Sequence, residues 1–331
     1  MKATIKKILL LFMWYPLRIS VRVLPPGFTQ ALASLGGRVL YLISKDKRAV
    51  MAEELRLIMP GKTHEEIEGI IRGSFRNYCI SEMEVLLYPR LDSSVMERLV
   101  RIEGRENLDR ELAKKKGVLL FQAHFGAFQM TMPAIGYRGY KMSQISASAS
   151  VWKNTPGVHD RASDMKARYE YTLPVRHIAV GGSIRPAFRA LERGEIVGIT
   201  VDGGGGKKTV PVKFLGRTAN FQTGGAELAV RTGAAVIPAF IITERGLKHT
   251  LIIHPPIEVD ERLSKDERVV DIIRQYALLL EGHVYNHPEH YAYSLYLRRQ
   301  RAALDPYPFF QDHAKPEGAA LAGAKKGIGY A

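Results

Sequence analysis

The sequence has a single cysteine, Cys79, among its 331 residues. One cysteine cannot form an internal disulfide, and it excludes a Cys-rich metal site. Its place in a helical pattern is typical of a small buried apolar residue, and so low a cysteine count favours a reducing compartment. The ten histidines show no repeated metal-like spacing, so we assign no metal.

The N-terminus lacks an apolar run long enough to cross a membrane. The uninterrupted run from Ile8 to Tyr15 has only eight residues, whereas a spanning helix needs ~20. No small-residue cleavage site follows it, which disfavours a cleaved signal peptide. We expect residues 1–27 to form a basic amphipathic segment in the lipid headgroup region, with Trp14 and Tyr15 at the interface. A first helix packed on the core and a single spanning anchor are the alternatives.

Acidic residues are scarce relative to basic ones. The chain has 33 Asp and Glu against 48 Lys and Arg, which gives a net charge of +15. Such a balance favours an anionic partner: a phospholipid surface, an acidic carrier protein or nucleic acid. A nucleic-acid binder would rest on charge alone, because the sequence contains no recognition motif, and its binding would have to fall steeply with salt. We therefore expect no nucleic-acid partner.

The glycine-rich stretch 203–209 lacks the spacing of a nucleotide-binding loop. A P-loop needs Gly-x-x-x-x-Gly-Lys followed by Ser or Thr, but Val201 stands at the first glycine position and Lys208 at the last. We interpret the stretch as a flexible cationic loop that could hold a phosphate of a lipid or of phosphopantetheine. A mobile solvated turn is the alternative. The sequence also lacks a Gly-x-Ser-x-Gly nucleophile elbow, so no covalent acyl-enzyme is implied.

The sequence does contain enough apolar residues, 46%, to bury a sizeable core. From Val118 onward, apolar runs alternate with amphipathic stretches, which predicts strands and helices in alternation. The predicted core strands are 118–122, 196–201, 235–242 and 250–254. We therefore expect an α/β fold: a mixed, mostly parallel sheet flanked by helices, with an N-terminal helical membrane-associating region.

The expected domain boundaries follow from composition and helix caps. Capping boxes at Thr63–Glu66 and Ser264–Glu267 predict long amphipathic helices after them. Residues 28–313 are expected to form a single α/β domain that is helical to about residue 100. The tail 314–331, rich in Ala, Gly and Lys, is expected to be disordered.

The most informative segment, directly after the first core strand, is His124-Phe125-Gly126-Ala127-Phe128-Gln129. His124 would stand at the carboxyl end of a strand, the edge at which ligands bind in open α/β sheets. A neutral imidazole at that edge can act as a general base. Gln129, five residues further on, has a spacing that suggests an orienting partner for it.

This segment resembles the signature of the lipid A late acyltransferases, a branch of the lysophospholipid acyltransferase superfamily, in which His is followed after four residues by Asp or Glu. The resemblance extends from about Lys45 to about Arg299. Three further stretches carry it in the family's order: Ile184–Glu195 leading to Thr200–Asp202, Thr223–Pro238, and His287–Tyr291 followed by Arg298 and Arg299. Tyr293 and Leu295 replace the family's usual Trp and His near the end.

The resemblance implies an O-acyltransferase in which His124 removes a proton from a hydroxyl of a lipid A precursor or a lysophospholipid. N–H groups around Phe125 to Ala127, or an arginine, would stabilise the oxyanion, and Phe125 and Gly126 are expected to bind substrate. Further residues that the resemblance places at the site are one arginine, matched by either Arg161 or Arg168, together with Arg185 and Asp202. The acyl donor would be a thioester of acyl carrier protein or coenzyme A, with no resident cofactor.

The same resemblance implies a cellular setting. The protein would lie on the cytoplasmic face of a bacterial inner membrane, held peripherally or by a single N-terminal anchor. Its expected partners are the membrane surface, an acyl carrier protein and a lipid acceptor. The basic composition suits all three, since each carries negative charge.

Gln129 departs from the family pattern, because it stands where the family has a carboxylate. An amide oxygen can hold the imidazole, but it has no charge to offset the imidazolium. Three explanations are open: a slower enzyme, a carboxylate supplied by another residue such as Asp202, or a binding protein that has lost its chemistry. We expect a working acyltransferase, and the alternative is a catalytically impaired membrane lipid-binding protein on the same scaffold.

Overall fold

The computed structural model describes residues 18–146, 158–203, 208–244, 248–302, 305 and 307–313. The N-terminal segment with Trp14 and Tyr15, the loop residues 204–207 and the tail 314–331 lie outside these ranges, so the predictions made for them stay predictions. Among the described helices, none has both the length and the apolar character needed to cross a bilayer.

The described chain begins with a helical region: α1 (Arg18–Val23), α2 (Pro26–Ile43), α3 (Lys45–Ile58) and α4 (His64–Val85). The predicted capping box begins α4, because the Thr63 hydroxyl accepts from the Glu66 N–H while the Glu66 carboxylate accepts from the Thr63 N–H. The backbone of α2 lies directly on α4 at Gly37, where a Cβ would come within 2.6 Å of the Arg76 Cα. The absence of a side chain at Gly37 is what allows this close packing.

The described residues include nine strands, which are β1 (Val100–Glu103), β2 (Val118–Gln122), β3 (Met142–Ser146), β4 (Arg176–Ala179), β5 (Ile196–Thr200), β6 (Thr209–Phe214), β7 (Arg217–Gln222), β8 (Ala235–Thr243) and β9 (His249–Ile253). Seven of them form one sheet in the order β1, β9, β8, β2, β5, β3, β4. Strands β8, β2, β5, β3 and β4 are parallel, whereas β9 is antiparallel to β8 and β1 is parallel to β9. The predicted mixed, mostly parallel sheet is confirmed.

Further helices flank this sheet: α5 (Ser93–Leu99), α6 (Arg105–Ala113), α7 (Thr131–Gly136), α8 (Val158–Glu170), α9 (Arg185–Glu192), α10 (Gly224–Thr232), α11 (Lys265–Asn286) and α12 (Ala292–Ala302). All five residues of β2 are buried, as expected of a central parallel strand covered on both faces. Its side chains alternate between two hydrophobic clusters, with Leu119 and Phe121 in one and Val118 and Leu120 in the other. The core therefore has two layers, and β2 lies between them.

The C-terminal region returns to the sheet edge where β2 ends. Helix α11 begins at the second predicted capping box, and a 3₁₀ turn at Pro288–His290 connects it to α12. Strands β6 and β7 form a separate antiparallel hairpin, which the sequence did not predict. The last described residues, 307–313, lie along this hairpin, with a β-bridge between Ala219 and Phe310.

Candidate active site

Strands β2 and β5 are neighbours in the sheet and end side by side. Their last residues, Gln122 and Thr200, are partners in the parallel ladder. His124 and Asp202 each lie two residues further along, at the carboxyl edge where ligands bind in open α/β sheets. The register of the two strands therefore brings together two residues that are 78 positions apart in the sequence.

His124 and Asp202 form a close pair at this edge. Nδ1 of His124 lies 2.9 Å from Oδ1 of Asp202. The backbone N–H of His124 also donates to both carboxylate oxygens, at 2.9 and 3.1 Å. The Asp202 side chain is completely buried, whereas that of His124 is 39% exposed. The carboxylate thus holds the imidazole from below while the ring itself remains accessible.

Residues of the C-terminal region hold Asp202 from another direction. The Tyr291 hydroxyl donates to Oδ2 at 3.0 Å, and Arg298 donates to Oδ2 at 2.7 Å and to the Asp202 carbonyl at 2.6 Å. Ser294 donates its hydroxyl to the His124 carbonyl at 2.6 Å. No role was predicted for these three residues. They are three and four positions apart, which is the spacing of residues on one helix face. This spacing is the sequence feature that could have indicated a shared role.

The charges around Asp202 keep its carboxyl group ionised. Burial alone would raise its pKa, but the charges of His124 and Arg298, together with hydrogen bonds from His124, lower the pKa to about 2. An ionised carboxylate only accepts hydrogen bonds, so Nδ1 of His124 carries the ring proton and donates a hydrogen bond to Asp202. Nε2 is then the basic atom of the ring. The Phe128 ring packs against the imidazole, with 5.0 Å between centroids, and limits how the ring can turn.

Gln129 is not brought into contact with His124. Its side-chain amide donates toward Ser81 and Glu82 on α4, at 3.5 and 3.3 Å. The physical reason is local: the chain after the histidine forms a 3₁₀ turn that packs on α4 and carries the buried Gln129 side chain with it. The geometry corresponds to the second explanation for the missing family carboxylate, in which Asp202 supplies it.

Phe125 and Gly126, expected to bind substrate, lie in the packing beneath the site. The Phe125 ring is buried and stacks on the His290 ring, with 5.5 Å between centroids. Gly126 has a φ of +57°, and a Cβ there would lie 1.9 Å from the Ile241 carbonyl oxygen, so glycine is required. The Gly126 N–H donates to the His290 carbonyl at 3.0 Å and is therefore not available to an oxyanion.

The arginines expected at the site do not contact the His124–Asp202 pair where their side chains are described. Arg168 is exposed in the last turn of α8, and the side chain of Arg161, on the same helix, lies outside the described part of the chain. Arg185 is the first residue of α9 and is exposed. The roles assigned to these three arginines stay predictions.

The glycine-rich loop begins beside His124. A Cβ on Gly203 would lie 3.6 Å from Cε1 of His124, so a side chain at this position would contact the ring. Gln222, the last residue of β7, donates its side-chain amide to the Gly203 carbonyl at 2.8 Å. The hairpin therefore fixes where the loop starts. Lys208, exposed at the other end of the loop, has its ammonium group 3.6 Å from a carboxylate oxygen of Glu227.

Among the described residues, His287, Glu289 and His290 lie close enough together to hold a metal ion. Both ring nitrogens of His290 are already in use, because Nε2 accepts from the Thr243 N–H at 2.8 Å and Nδ1 lies 3.1 Å from a Glu289 carboxylate oxygen. A neutral imidazole that accepts at one nitrogen and donates at the other has no lone pair left for a metal. We assign this cluster a structural role at the 3₁₀ turn.

Comparison with protein families matches residues 2–300 to the model described as bacterial lipid A biosynthesis acyltransferase. A search of curated proteins found no match. The family match includes His124, Asp202, Tyr291 and Arg298, and it ends before residues 307–313.

Proposed function

This chain belongs to the family of bacterial lipid A biosynthesis acyltransferases, and from that premise we propose that it moves a fatty acyl chain from a thioester to a hydroxyl of a membrane lipid. The donor is acyl carrier protein or coenzyme A. The acceptor is a glycolipid like a lipid A precursor, or else a lysophospholipid. The observation that carries this proposal is the contact between His124 and the ionised Asp202 at the carboxyl edge of the sheet.

In this proposal His124 is the general base. Asp202 accepts from Nδ1 at 2.9 Å, which favours the tautomer with a free lone pair on Nε2. Nε2 removes the proton from the acceptor hydroxyl while the hydroxyl oxygen attacks the thioester carbonyl. The carboxylate offsets the positive charge that develops on the ring, which is the task that the amide of Gln129 cannot perform.

The tetrahedral intermediate then collapses to an ester and a thiol. The new carbon–oxygen bond remains, the carbon–sulfur bond breaks, and the imidazolium of His124 returns its proton to the thiolate sulfur. No covalent acyl-enzyme is needed. Because His290 engages the Gly126 N–H, we assign oxyanion stabilisation to an arginine side chain, with these candidates: Arg161, Arg168 and Arg185.

The charge of the chain supports an acidic carrier protein as the donor. A net charge of +15 attracts acidic partners and speeds their encounter. The phosphopantetheine arm of a carrier protein has its phosphate at the end joined to the protein, opposite the thioester, so a phosphate held beside His124 would belong to the lipid acceptor. The glycine-rich stretch 203–209 starts at Gly203 beside His124 and contains Lys207 and Lys208, and we propose it as the site for such a lipid phosphate.

The outer face of α2 supports a membrane location. Large apolar side chains at positions 28, 32, 35, 39 and 42 recur at helical spacing and are exposed, Leu42 to 66%. Arg38 is the only charged residue of this helix, and the opposite face packs on α4. An apolar stripe of this kind is typical of a helix that lies on lipid. In our proposal α2 and the basic N-terminal segment hold the enzyme on the cytoplasmic face of the bacterial inner membrane.

A lipid-binding protein without turnover is the alternative that Gln129 raised. That alternative depended on the missing family carboxylate. Asp202 offers a carboxylate to the same imidazole, so the geometry favours turnover over binding alone.

The proposal is tested by offering wild-type protein labelled acyl chains on acyl carrier protein and on coenzyme A. The acceptors are a panel of lipid A precursors and lysophospholipids. We expect ester product on a lipid A precursor, with the carrier protein as the better donor. Intact ligand binding without product on any acceptor would contradict the proposal and favour the binding protein.

A further inference from the structure

Residues 307–313 lie beyond the family match, which ends at residue 300, yet they pack on the active site. The Phe309 ring lies over the guanidinium of Arg298, with 3.8 Å between the ring centroid and Cζ. Arg298 in turn donates to Asp202 from both terminal nitrogens. A chain of three contacts therefore connects this C-terminal segment with His124.

The guanidinium of Arg298 is held by hydrogen bonds at its terminal nitrogens and by an aromatic ring over its face. Its side chain is only 9% exposed, and among the described residues its Nε finds no hydrogen-bond partner. The Tyr291 hydroxyl accepts from Nη2 at 2.9 Å, so the hydrogen bonds of the group all lie at its far end. A buried cation is attracted to an aromatic face, and the Phe309 ring supplies that face. Without the Phe309 ring, the guanidinium would keep its hydrogen bonds at Nη1 and Nη2 but would lose its nearer aromatic contact, since the Tyr291 ring centroid lies 5.4 Å from Cζ.

The C-terminal segment is itself fixed to rigid elements. The Asn220 N–H, on β7, donates to the Phe309 carbonyl at 2.7 Å. Arg217, at the start of β7, donates to Asp312 at 2.7 and 2.6 Å and to the buried Glu54 of α3 at 2.7 Å. Phe309 is therefore held between a hairpin and a helix, as a residue that positions another side chain must be.

We propose that Phe309 is a positioning residue of the active site. The Phe309 ring keeps Arg298 against Asp202, and Asp202 keeps the proton on Nδ1 of His124. The catalytic consequence rests on the proposed function, whereas the effect on the imidazole is a property of the folded chain and can be measured without turnover.

Phe309→Leu tests the contact, because leucine keeps a buried apolar side chain but lacks the aromatic face. We expect kcat to fall roughly tenfold, equivalent to about 1.4 kcal/mol in activation free energy, with little change in KM. Phe309→Tyr keeps the ring and should retain wild-type kcat. Tyr307→Ala, a change at a 78% exposed aromatic residue of the same segment, is the matched control and should leave kcat unchanged.

A second readout, independent of turnover, is the nitrogen NMR spectrum of the His124 ring, which reports the nitrogen that carries the proton. We expect the Nδ1–H tautomer in wild type and Phe309→Tyr, and a larger share of the Nε2–H tautomer in Phe309→Leu. An unchanged His124 spectrum in Phe309→Leu would overturn the proposal. A loss of kcat in Phe309→Tyr as large as that in Phe309→Leu would also overturn it. If wild type transfers no acyl chain, the proposed function is wrong. The spectra still test whether Phe309 positions Arg298 and, through Asp202, the His124 ring.

Discussion

Asp202→Asn tests whether the charge of the carboxylate, rather than its shape, makes His124 a base. In the wild type, Oδ2 accepts from Tyr291 at 3.0 Å and from Arg298 at 2.7 Å, while Oδ1 accepts from Nδ1 of His124 at 2.9 Å. An asparagine must place its NH₂ group on one of these two sides. Because Arg298 is a donor with a positive charge, we expect the NH₂ group to face His124. Nδ1 then accepts, and the ring proton moves to Nε2.

The resulting tautomer cannot remove a proton from the acceptor hydroxyl. The equivalent change in serine proteases lowers kcat by ~10⁴ for the same reason, which is about 5.4 kcal/mol of activation free energy. The backbone N–H of His124 also donates to Oδ2 at 3.1 Å, the side that keeps its oxygen, and would hold the asparagine close to the ring. We therefore expect kcat to fall by roughly 10³-fold to 10⁴-fold.

The assay is the initial rate of acyl transfer at saturating donor, with thermal melting to establish that the variant folds. Gln129→Ala is the matched control, because it changes a buried amide that does not contact His124. We expect it to retain kcat within about threefold. The reasoning is refuted if Asp202→Asn stays within about tenfold of wild type, or if Gln129→Ala is impaired to the same degree.

Gly126→Ala would place a Cβ 1.9 Å from the Ile241 carbonyl at a φ of +57°, so we expect urea unfolding to show a loss of about 2–4 kcal/mol. The pKa of Asp202 is lowered from 3.8 to about 2 in the folded protein. Its ionised carboxylate therefore stabilises the fold above pH 3.8, and this stabilisation is lost as the pH falls toward 2. The melting temperatures of wild type and Asp202→Asn should converge near pH 2. The double substitution Leu35→Glu and Leu42→Glu should reduce the fraction of protein that sediments with anionic vesicles, without lowering the melting temperature. A stable Gly126→Ala variant, a pH-independent difference in melting temperature or unchanged vesicle binding would contradict the respective prediction.

The fold was largely predictable where long periodic segments determine it. Strands β2, β5, β8 and β9 were expected within two residues of their observed ends, and both capping boxes begin helices as predicted. Strands β3 and β4 were not predicted, because Met142–Ser146 and Arg176–Ala179 are short and partly polar. They are strands because β3 pairs with β5 and β4 pairs with β3. Such tertiary pairing leaves no periodic pattern in the sequence.

The site was predictable in its parts but not in its assembly. His124 and Asp202 could be identified because each follows an apolar run, but their contact depends on β2 and β5 being neighbours. Gln129 was expected beside His124 because of a five-residue spacing. That spacing brings two side chains together only in certain backbone conformations. The 3₁₀ turn at Phe128–Met130 directs the Gln129 side chain away from His124. The role of Arg298 likewise depends on where α12 docks, which no local pattern encodes.

The central claim is that His124 is the base of an acyl-transfer reaction. The most direct measurement is the initial rate of acyl transfer by wild type and His124→Ala, side by side, on the lipid acceptor that the wild type uses best. His287→Ala, a change at a half-buried histidine of the neighbouring 3₁₀ turn, serves as the control. We predict product from wild type and from His287→Ala, with a fall of roughly 10²-fold to 10⁴-fold in His124→Ala. Product formed by His124→Ala at the wild-type rate would contradict the claim.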